Sequence, residues 1–200
     1  MIVIVDYMMG NLRSVHKACL LTRPDCIVSS DRKKIEAAEK LILPGVGAFA
    51  DAVKELRKIK IFDVLKEKIT APAPFLGVCL GMQLLFSSSE EAPGIKGLDA
   101  LKGYVELFSQ KVKVPQIGWN ELEFKEKRCP LFKGVKDKSF VYFCHSYYCL
   151  PREKSIIAAE TYYGRKYTSV VWKDNIFGVQ FHPEKSQSTG LQILKNFLSL

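Results

Sequence analysis

Phe75-Leu76-Gly77-Val78-Cys79-Leu80-Gly81-Met82-Gln83-Leu84-Leu85-Phe86 is the stretch on which the fold turns. A buried strand over Phe75 to Val78 runs into Gly-x-Cys-x-Gly, and helical periodicity follows at once. This is the thiol counterpart of the Gly-x-Ser-x-Gly nucleophile elbow. A nucleophile on such a turn sits on strained backbone, and side chains two residues before or after it would crowd the turn. The turn also sets sulfur at a helix N-terminus, whose partial positive charge favours thiolate. That matters because an ordinary thiol, with a pKa of about 8.5, is only a few per cent ionised at neutral pH. Taken alone, Gly-x-Cys-x-Gly reads equally well as a core cysteine between packing glycines. The strand before it and the helix after it favour the nucleophile.

Outward from the elbow, the first half of the chain alternates strands with amphipathic helices. Ile2 to Val5 and Lys40 to Leu43 read as strands; Asn11 to Leu21, a segment through Phe49, Val53 and Leu56, and Ile61 to Ile69 read as helices. That alternation predicts an α/β fold, a doubly wound, mostly parallel central sheet with helices on both faces. Right-handed crossovers then bring the strand C-termini to one edge, where sites form in such sheets. The second half predicts an antiparallel β extension: Tyr104–Leu107, Asn120–Phe124, Ser139–Phe143, Ile156–Thr161, Tyr167–Trp172 and Ile176–Phe181. Tyr163-Gly164-Arg165 and Lys173-Asp174-Asn175 mark hairpin turns within it. A helix over Gln187 to Leu200 closes the chain. There is no repeat or linker, so residues 1–200 are expected to form a single domain.

Phe181-His182-Pro183-Glu184 supplies a base for the thiol. A strand delivers His182 at its end, Pro183 stops the ladder, and Glu184 is close enough to fix the imidazole tautomer. Nucleophile, base and orienter are the three roles of a catalytic triad. Of the other histidines, His16 falls within the first helix and reads as structural. His145 follows a strand and can line a site, but no acid lies near it in sequence. The six cysteines, at 19, 26, 79, 129, 144 and 149, include no Cys-x-x-Cys pair. No metal site and no cofactor is expected, and five of the six read as reduced core thiols.

A net charge of +9 raises the question of nucleic acid. The basic residues are scattered and interrupted by acids, as in Asp31-Arg32-Lys33-Lys34 and Lys125-Glu126-Lys127-Arg128, which argues against a nucleic-acid binder. A basic surface serves equally to attract a phosphorylated metabolite or an acidic partner. No apolar run approaches the roughly 18–20 residues that span a bilayer, so no membrane association is expected. The N-terminal Met-Ile-Val-Ile-Val-Asp lacks a signal peptide's basic region, and a cytoplasmic protein is expected.

The elbow and His-Pro-Glu, in this order, resemble the class I (triad) glutamine amidotransferases. Pro44-Gly45-Val46-Gly47, the elbow itself, Glu90-Glu91-Ala92-Pro93-Gly94, Pro115-Gln116-Ile117-Gly118-Trp119-Asn120 and His182-Pro183-Glu184-Lys185-Ser186 resemble one subfamily, the glutaminase subunits of imidazole glycerol phosphate synthases. The resemblance spans the chain from first strand to last helix. It implies that Cys79 attacks the side-chain amide of L-glutamine, His182 protonates the departing ammonia and Glu184 orients His182. It further implies an oxyanion hole from the backbone N–H of Val46 or Gly47 with that of Leu80. Gln83, Glu91, Ser146 and Tyr147 fall at substrate-binding positions. Asn11, Trp119, Asn120 and Lys185 fall where the family meets its partner, a separate (β/α)8-barrel cyclase subunit, in a heterodimer.

One motif departs from the family. Its first loop usually reads Asp-Tyr-Gly-x-Gly-Asn, whereas Asp6-Tyr7-Met8-Met9-Gly10-Asn11 stands here. A methionine in place of glycine argues against positive φ or close partner approach at position 8. Gly10 and Asn11 remain, so a local change in interface packing is expected. Two other functions stay open on the sequence. A different amidotransferase, of pyridoxal phosphate or anthranilate synthesis, keeps the triad and changes the partner, although Gln-Ile-Gly-Trp-Asn argues against it. A non-enzymatic α/β binding module keeps the elbow as a vestige.

Overall fold

Short apolar runs separated by glycine, proline and charged turns give strands that are buried on both faces. The computed structural model describes residues 1–109 and 111–200. In chain order it holds β1 (Ile2–Val5), α1 (Leu12–Leu20), β2 (Cys26–Ser29), α2 (Arg32–Glu36), β3 (Lys40–Gly45), α3 (Phe49–Lys58) and α4 (Phe62–Thr70). The elbow joins β4 (Phe75–Cys79) to α5 (Leu80–Leu84), and β5 (Phe86–Ser89) and β6 (Leu101–Leu107) follow. Then come β7 (Gln116–Glu121), β8 (Glu123–Phe124), β9 (Phe140–His145), β10 (Tyr147–Pro151), β11 (Ile157–Tyr162), β12 (Lys166–Lys173), β13 (Ile176–Val179) and α6 (Gln187–Leu198).

The main sheet runs β2-β1-β3-β4-β13-β12-β10-β6-β5, with β11 and β8 branching from β12. Strands β2 through β13 of this order are parallel; β12, β10 and β6 then join antiparallel, and β5 pairs parallel with β6. This is the expected α/β sheet with its antiparallel extension. Two-residue periodicity assigns the core: Val3, Val5, Leu41, Leu43 and Phe75 pack with α3 and α4 on one face. Ile2, Ile4, Ile42, Leu76 and Val78 pack with α1 and α6 on the other. Each face is thus a separate apolar layer, and burying both fixes the register. No helix among the described residues is long and apolar enough to cross a membrane.

Four local expectations change. The helix after Cys79 ends at Leu84, and Phe86 begins a strand. Asn120 to Phe124 is two strands, because Leu122 turns into the core between β7 and β8. Cys144 is exposed rather than a core thiol. Met8 adopts φ +66° despite its side chain. Its backbone N–H donates to Asp6 Oδ1 at 3.0 Å and its side chain is 82% exposed, so nothing clashes and only the left-handed cost of about 1–2 kcal/mol is incurred. The small β7–β9 sheet stands apart from the main one.

Candidate active site

Steric exclusion explains why the elbow needs its glycines. Cys79 ends β4 with φ +55° and ψ −110°, and Leu80 opens α5 directly after it. A β-carbon on Gly81 would lie 1.7 Å from the Leu43 carbonyl oxygen, and one on Gly77 would lie 2.6 Å from that of Gly81. The turn is wedged against β3, and only hydrogen fits at either position. Parallel pairing sets Gly45 beside Cys79 and Val179 beside Val78. The Pro44–Gly47 loop and the segment leading to His182 therefore reach the same sheet edge as the sulfur.

His182 Nδ1 lies 3.0 Å from Glu184 Oε1, and the two side chains are 4% and 1% exposed. A carboxylate accepts, so Nδ1 carries the hydrogen and Nε2 is left for the sulfur. Ser186 fixes the backbone here: its hydroxyl donates to the His182 carbonyl at 2.6 Å and accepts from Tyr142 N–H at 2.9 Å. Burial alone would push the His182 pKa down; the adjoining Cys79 and Glu184 outweigh it and raise it to about 10. The direction favours an imidazolium at His182 beside the sulfur. Glu184 Oε2 is buried without a partner among the described residues.

Cys79, His182, Val46, Gly47, Leu80, Gln83, Glu91, Ser146, Tyr147 and Lys185 all line one cavity of about 300 Å³. Glu184 stands behind His182. Gly47 has φ +100°, a conformation for which glycine is suited. The Tyr7 hydroxyl donates to the Pro44 carbonyl at 2.9 Å and so braces the loop from below. Gln83 Nε2 donates to the Tyr147 carbonyl at 3.0 Å. Glu91 Oε2 accepts from Phe49 N–H at 2.8 Å, at the start of α3.

The four remaining positions divide. Lys185 faces the cavity, with its ammonium 5.8 Å over the Tyr142 ring. Trp119 is 46% exposed on the outer face of the β7–β9 sheet and meets Tyr142 edge-on. Asn120 points the other way along the strand, its amide donating to the Tyr162 carbonyl at 2.8 Å. Asn11 opens α1 and does not line the cavity.

His145 also lines the cavity but is no rival base. Its Nδ1 meets the Tyr147 carbonyl at 2.8 Å, no carboxylate adjoins it, and burial lowers its pKa to about 4. Gln180 escaped the sequence reading. It lies just past the end of β13, where residues 180 and 181 bend, so no strand alternation signalled that it faces the sulfur. Tyr7 and Pro115 stand in motifs and Cys144 in a strand, but no local spacing shows that Tyr7 reaches the Pro44 carbonyl or that Pro115 and Cys144 reach the cavity. A larger cavity of about 780 Å³ lies between the Lys127–Gly134 segment and the end of α6. Its one thiol, Cys129, is pushed up to about 12 by burial, so it offers no nucleophile.

Residues 4–200 match the model of glutamine amidotransferase class-I. The imidazole glycerol phosphate synthase subunit HisH of Aquifex aeolicus is 47% identical over 196 residues, covering 98% of this chain and 94% of that one. The same-named subunit of Caldanaerobacter subterraneus subsp. tengcongensis is 50% identical over 197 residues, covering 98% and 97%. A crystal structure of a glutamine amidotransferase superposes with a TM-score of 0.75 over 99% of both chains. Its identity is 18%, so this likeness concerns the fold alone.

Proposed function

The chain belongs to the class-I glutamine amidotransferase family and acts as the glutaminase subunit of an imidazole glycerol phosphate synthase; we propose that Cys79, His182 and Glu184 carry its chemistry. The observation behind these roles is the buried His182–Glu184 pair, held at 3.0 Å, whose histidine lines the same cavity as the strained Cys79. The Cys79 thiolate attacks the side-chain carbonyl carbon of glutamine. The oxygen turned anionic is met by the backbone N–H of Val46 or Gly47 and that of Leu80, donors typically worth about 2.7–4 kcal/mol each. Imidazolium at His182 gives its proton to the nitrogen, the C–N bond breaks, and ammonia leaves a γ-glutamyl thioester. Water then attacks the thioester while His182 takes its proton, releasing glutamate and restoring thiolate.

Gln83, Glu91, Ser146 and Tyr147 hold the substrate, with Glu91 suited to its α-ammonium. Residues 1–200 work as one domain, and the compartment is the cytoplasm. The ammonia passes to a (β/α)8-barrel cyclase subunit bound as a heterodimer. A shielded route suits the chemistry, because ammonia released to water near neutral pH is protonated and loses its nucleophilicity. The docking surface is the outer face of the β7–β9 sheet, where Ile117, Trp119 and Phe140 are 62%, 46% and 52% exposed beside the site. Asn11 and Lys185 complete it, and Asn120 supports it from the opposite face through its bond to the Tyr162 carbonyl. There the cyclase joins the ammonia with its phosphoribulosyl substrate to give imidazole glycerol phosphate and AICAR.

The deciding experiment is a glutaminase assay of the chain alone, with the barrel subunit, and with that subunit's ligand added. Weak activity alone and strong stimulation by the liganded partner are expected. Full turnover by the isolated chain would overturn the coupling. Failure of Cys79 to react faster than the other cysteines with a glutamine-like diazo-ketone would overturn the enzyme chemistry itself.

A further inference from the structure

Gln180 is fully buried, lies in no substrate-binding position, and carries an amide that the mechanism above leaves unused. Its Nε2 lies 3.8 Å from Cys79 Sγ, within reach of a long hydrogen bond to sulfur. Its Oε1 accepts from Gln83 Nε2 at 3.3 Å. Which end of an amide faces which neighbour is often ambiguous. Here the chain of partners decides it. The Tyr147 carbonyl can only accept, so Gln83 must present its NH2 group there. The second hydrogen of that NH2 points at Gln180, which must answer with its oxygen. The Gln180 NH2 is thereby turned to the sulfur. The backbone of Gln180 is held in turn, its N–H donating to the Ser169 carbonyl at 2.9 Å.

We propose that Gln180 serves the reaction directly, as the side-chain donor that holds the Cys79 sulfur as thiolate and aims it into the cavity. A neutral amide is suited to this. It favours the charged form of sulfur without adding a proton that competes with the one on His182. It also costs little to bury, because both ends of the amide find partners. The carbonyl of Cys144 lies 3.9 Å from the same sulfur and, as an acceptor, favours the thiol instead. The Gln180 donor opposes it. The remaining titratable groups that face the sulfur or share its cavity are His182 with Glu184 behind it, Tyr7, Cys149, Glu91, Cys144, His145, Tyr147 and Lys185. None of them is altered in the variants below.

The inference rests on Cys79 being the nucleophile, and the experiment separates the two. Alkylation of Cys79 by iodoacetamide in the full chain is followed against pH by peptide mass spectrometry, for wild type, Gln180→Met and Gln180→Glu. Methionine fills the volume without a donor. Losing one hydrogen bond to a charged atom is worth roughly a tenfold change, so the pH midpoint should rise by about one unit. In the complex with the barrel subunit, kcat should fall about tenfold with KM for glutamine within about twofold. Glutamate still accepts from Gln83 but sets a carboxylate against the sulfur, so its midpoint should rise at least as far.

An unmoved midpoint in a folded variant overturns the proposal. So does wild-type behaviour in Gln180→Glu, which would show that Gln180 merely anchors Gln83. If Gln180→Met does not fold, the isosteric Gln180→Glu carries the test. Loss of folding in both assigns Gln180 to the fold and also overturns it. Were wild-type Cys79 itself no more reactive than the other cysteines, the nucleophile assignment would fail instead.

Discussion

Glu184 and His182 form a buried pair in which one carboxylate oxygen, 3.0 Å from Nδ1, decides the tautomer of the ring. Glutamine at 184 can keep an acceptor in that place but removes the charge that stabilises imidazolium. Glu184→Gln is therefore expected to lower kcat of the stimulated complex by about 10²–10⁴-fold, within the range of general acid–base contributions. Cys79→Ala should abolish hydrolysis while leaving partner binding intact. Steady-state kinetics and partner titration check both; equal losses would refute the division of roles.

The wedge of Gly81 against β3 gives a stability prediction. An added β-carbon 1.7 Å from the Leu43 carbonyl oxygen meets backbone, which cannot swing away. Gly81→Ala should cost about 3 kcal/mol or more, against about 1–2 kcal/mol for Gly94→Ala, where φ is +82° but the space is open. Chemical denaturation of the two variants compares them directly.

Tyr7 lies beneath the Pro44–Gly47 loop rather than in the cavity. Tyr7→Phe removes the donor to the Pro44 carbonyl and leaves that buried oxygen unpaired, at a cost of about 1–3 kcal/mol. A looser loop should lower kcat severalfold with little change in KM. Denaturation and glutaminase kinetics on one preparation test the linkage, and unchanged kcat with lost stability would confine Tyr7 to the fold.

His145 sets an acid limit on stability. Burial is the main cause that holds its pKa near 4, against 6.5 for an exposed imidazole. Between those values the unfolded chain binds a proton that the folded chain refuses, so stability falls as pH falls, by about 3 kcal/mol in all. Above pH 6.5 both states are neutral there and the effect vanishes. His145→Gln should flatten this part of the stability–pH curve, as measured by denaturation between pH 4 and 7.5. An unchanged slope would show that other groups carry it.

Much of the fold was legible because its signals are local. The runs Ile2–Val5, Lys40–Leu43 and Phe75–Val78 are apolar on both faces of a strand, which only a sheet covered on both sides can satisfy. Gly77 and Gly81 bracket Cys79 for a steric reason that acts within one turn. His182 and Glu184 are two residues apart, so their pairing needed no knowledge of distant chain. The short helix after Cys79 and the break at Leu122 were not legible, since periodicity does not show where tertiary packing cuts an element short. Met8 failed differently: a backbone cost of one or two kcal/mol is tolerated wherever the side chain has solvent to enter.

By itself the sequence determined an α/β sheet, an elbow cysteine and a histidine–carboxylate pair, because each is written in neighbouring residues. Only the tertiary structure decided what surrounds the sulfur. Gln180, Gln83 and the Tyr147 carbonyl meet through strands and a helix far apart in the chain, and the Tyr7 hydroxyl reaches the Pro44 carbonyl across two strands. Hydrogen bonds act over about 3 Å and carry no trace in sequence spacing. Their partners are fixed only when the sheet brings separate strand ends to one edge.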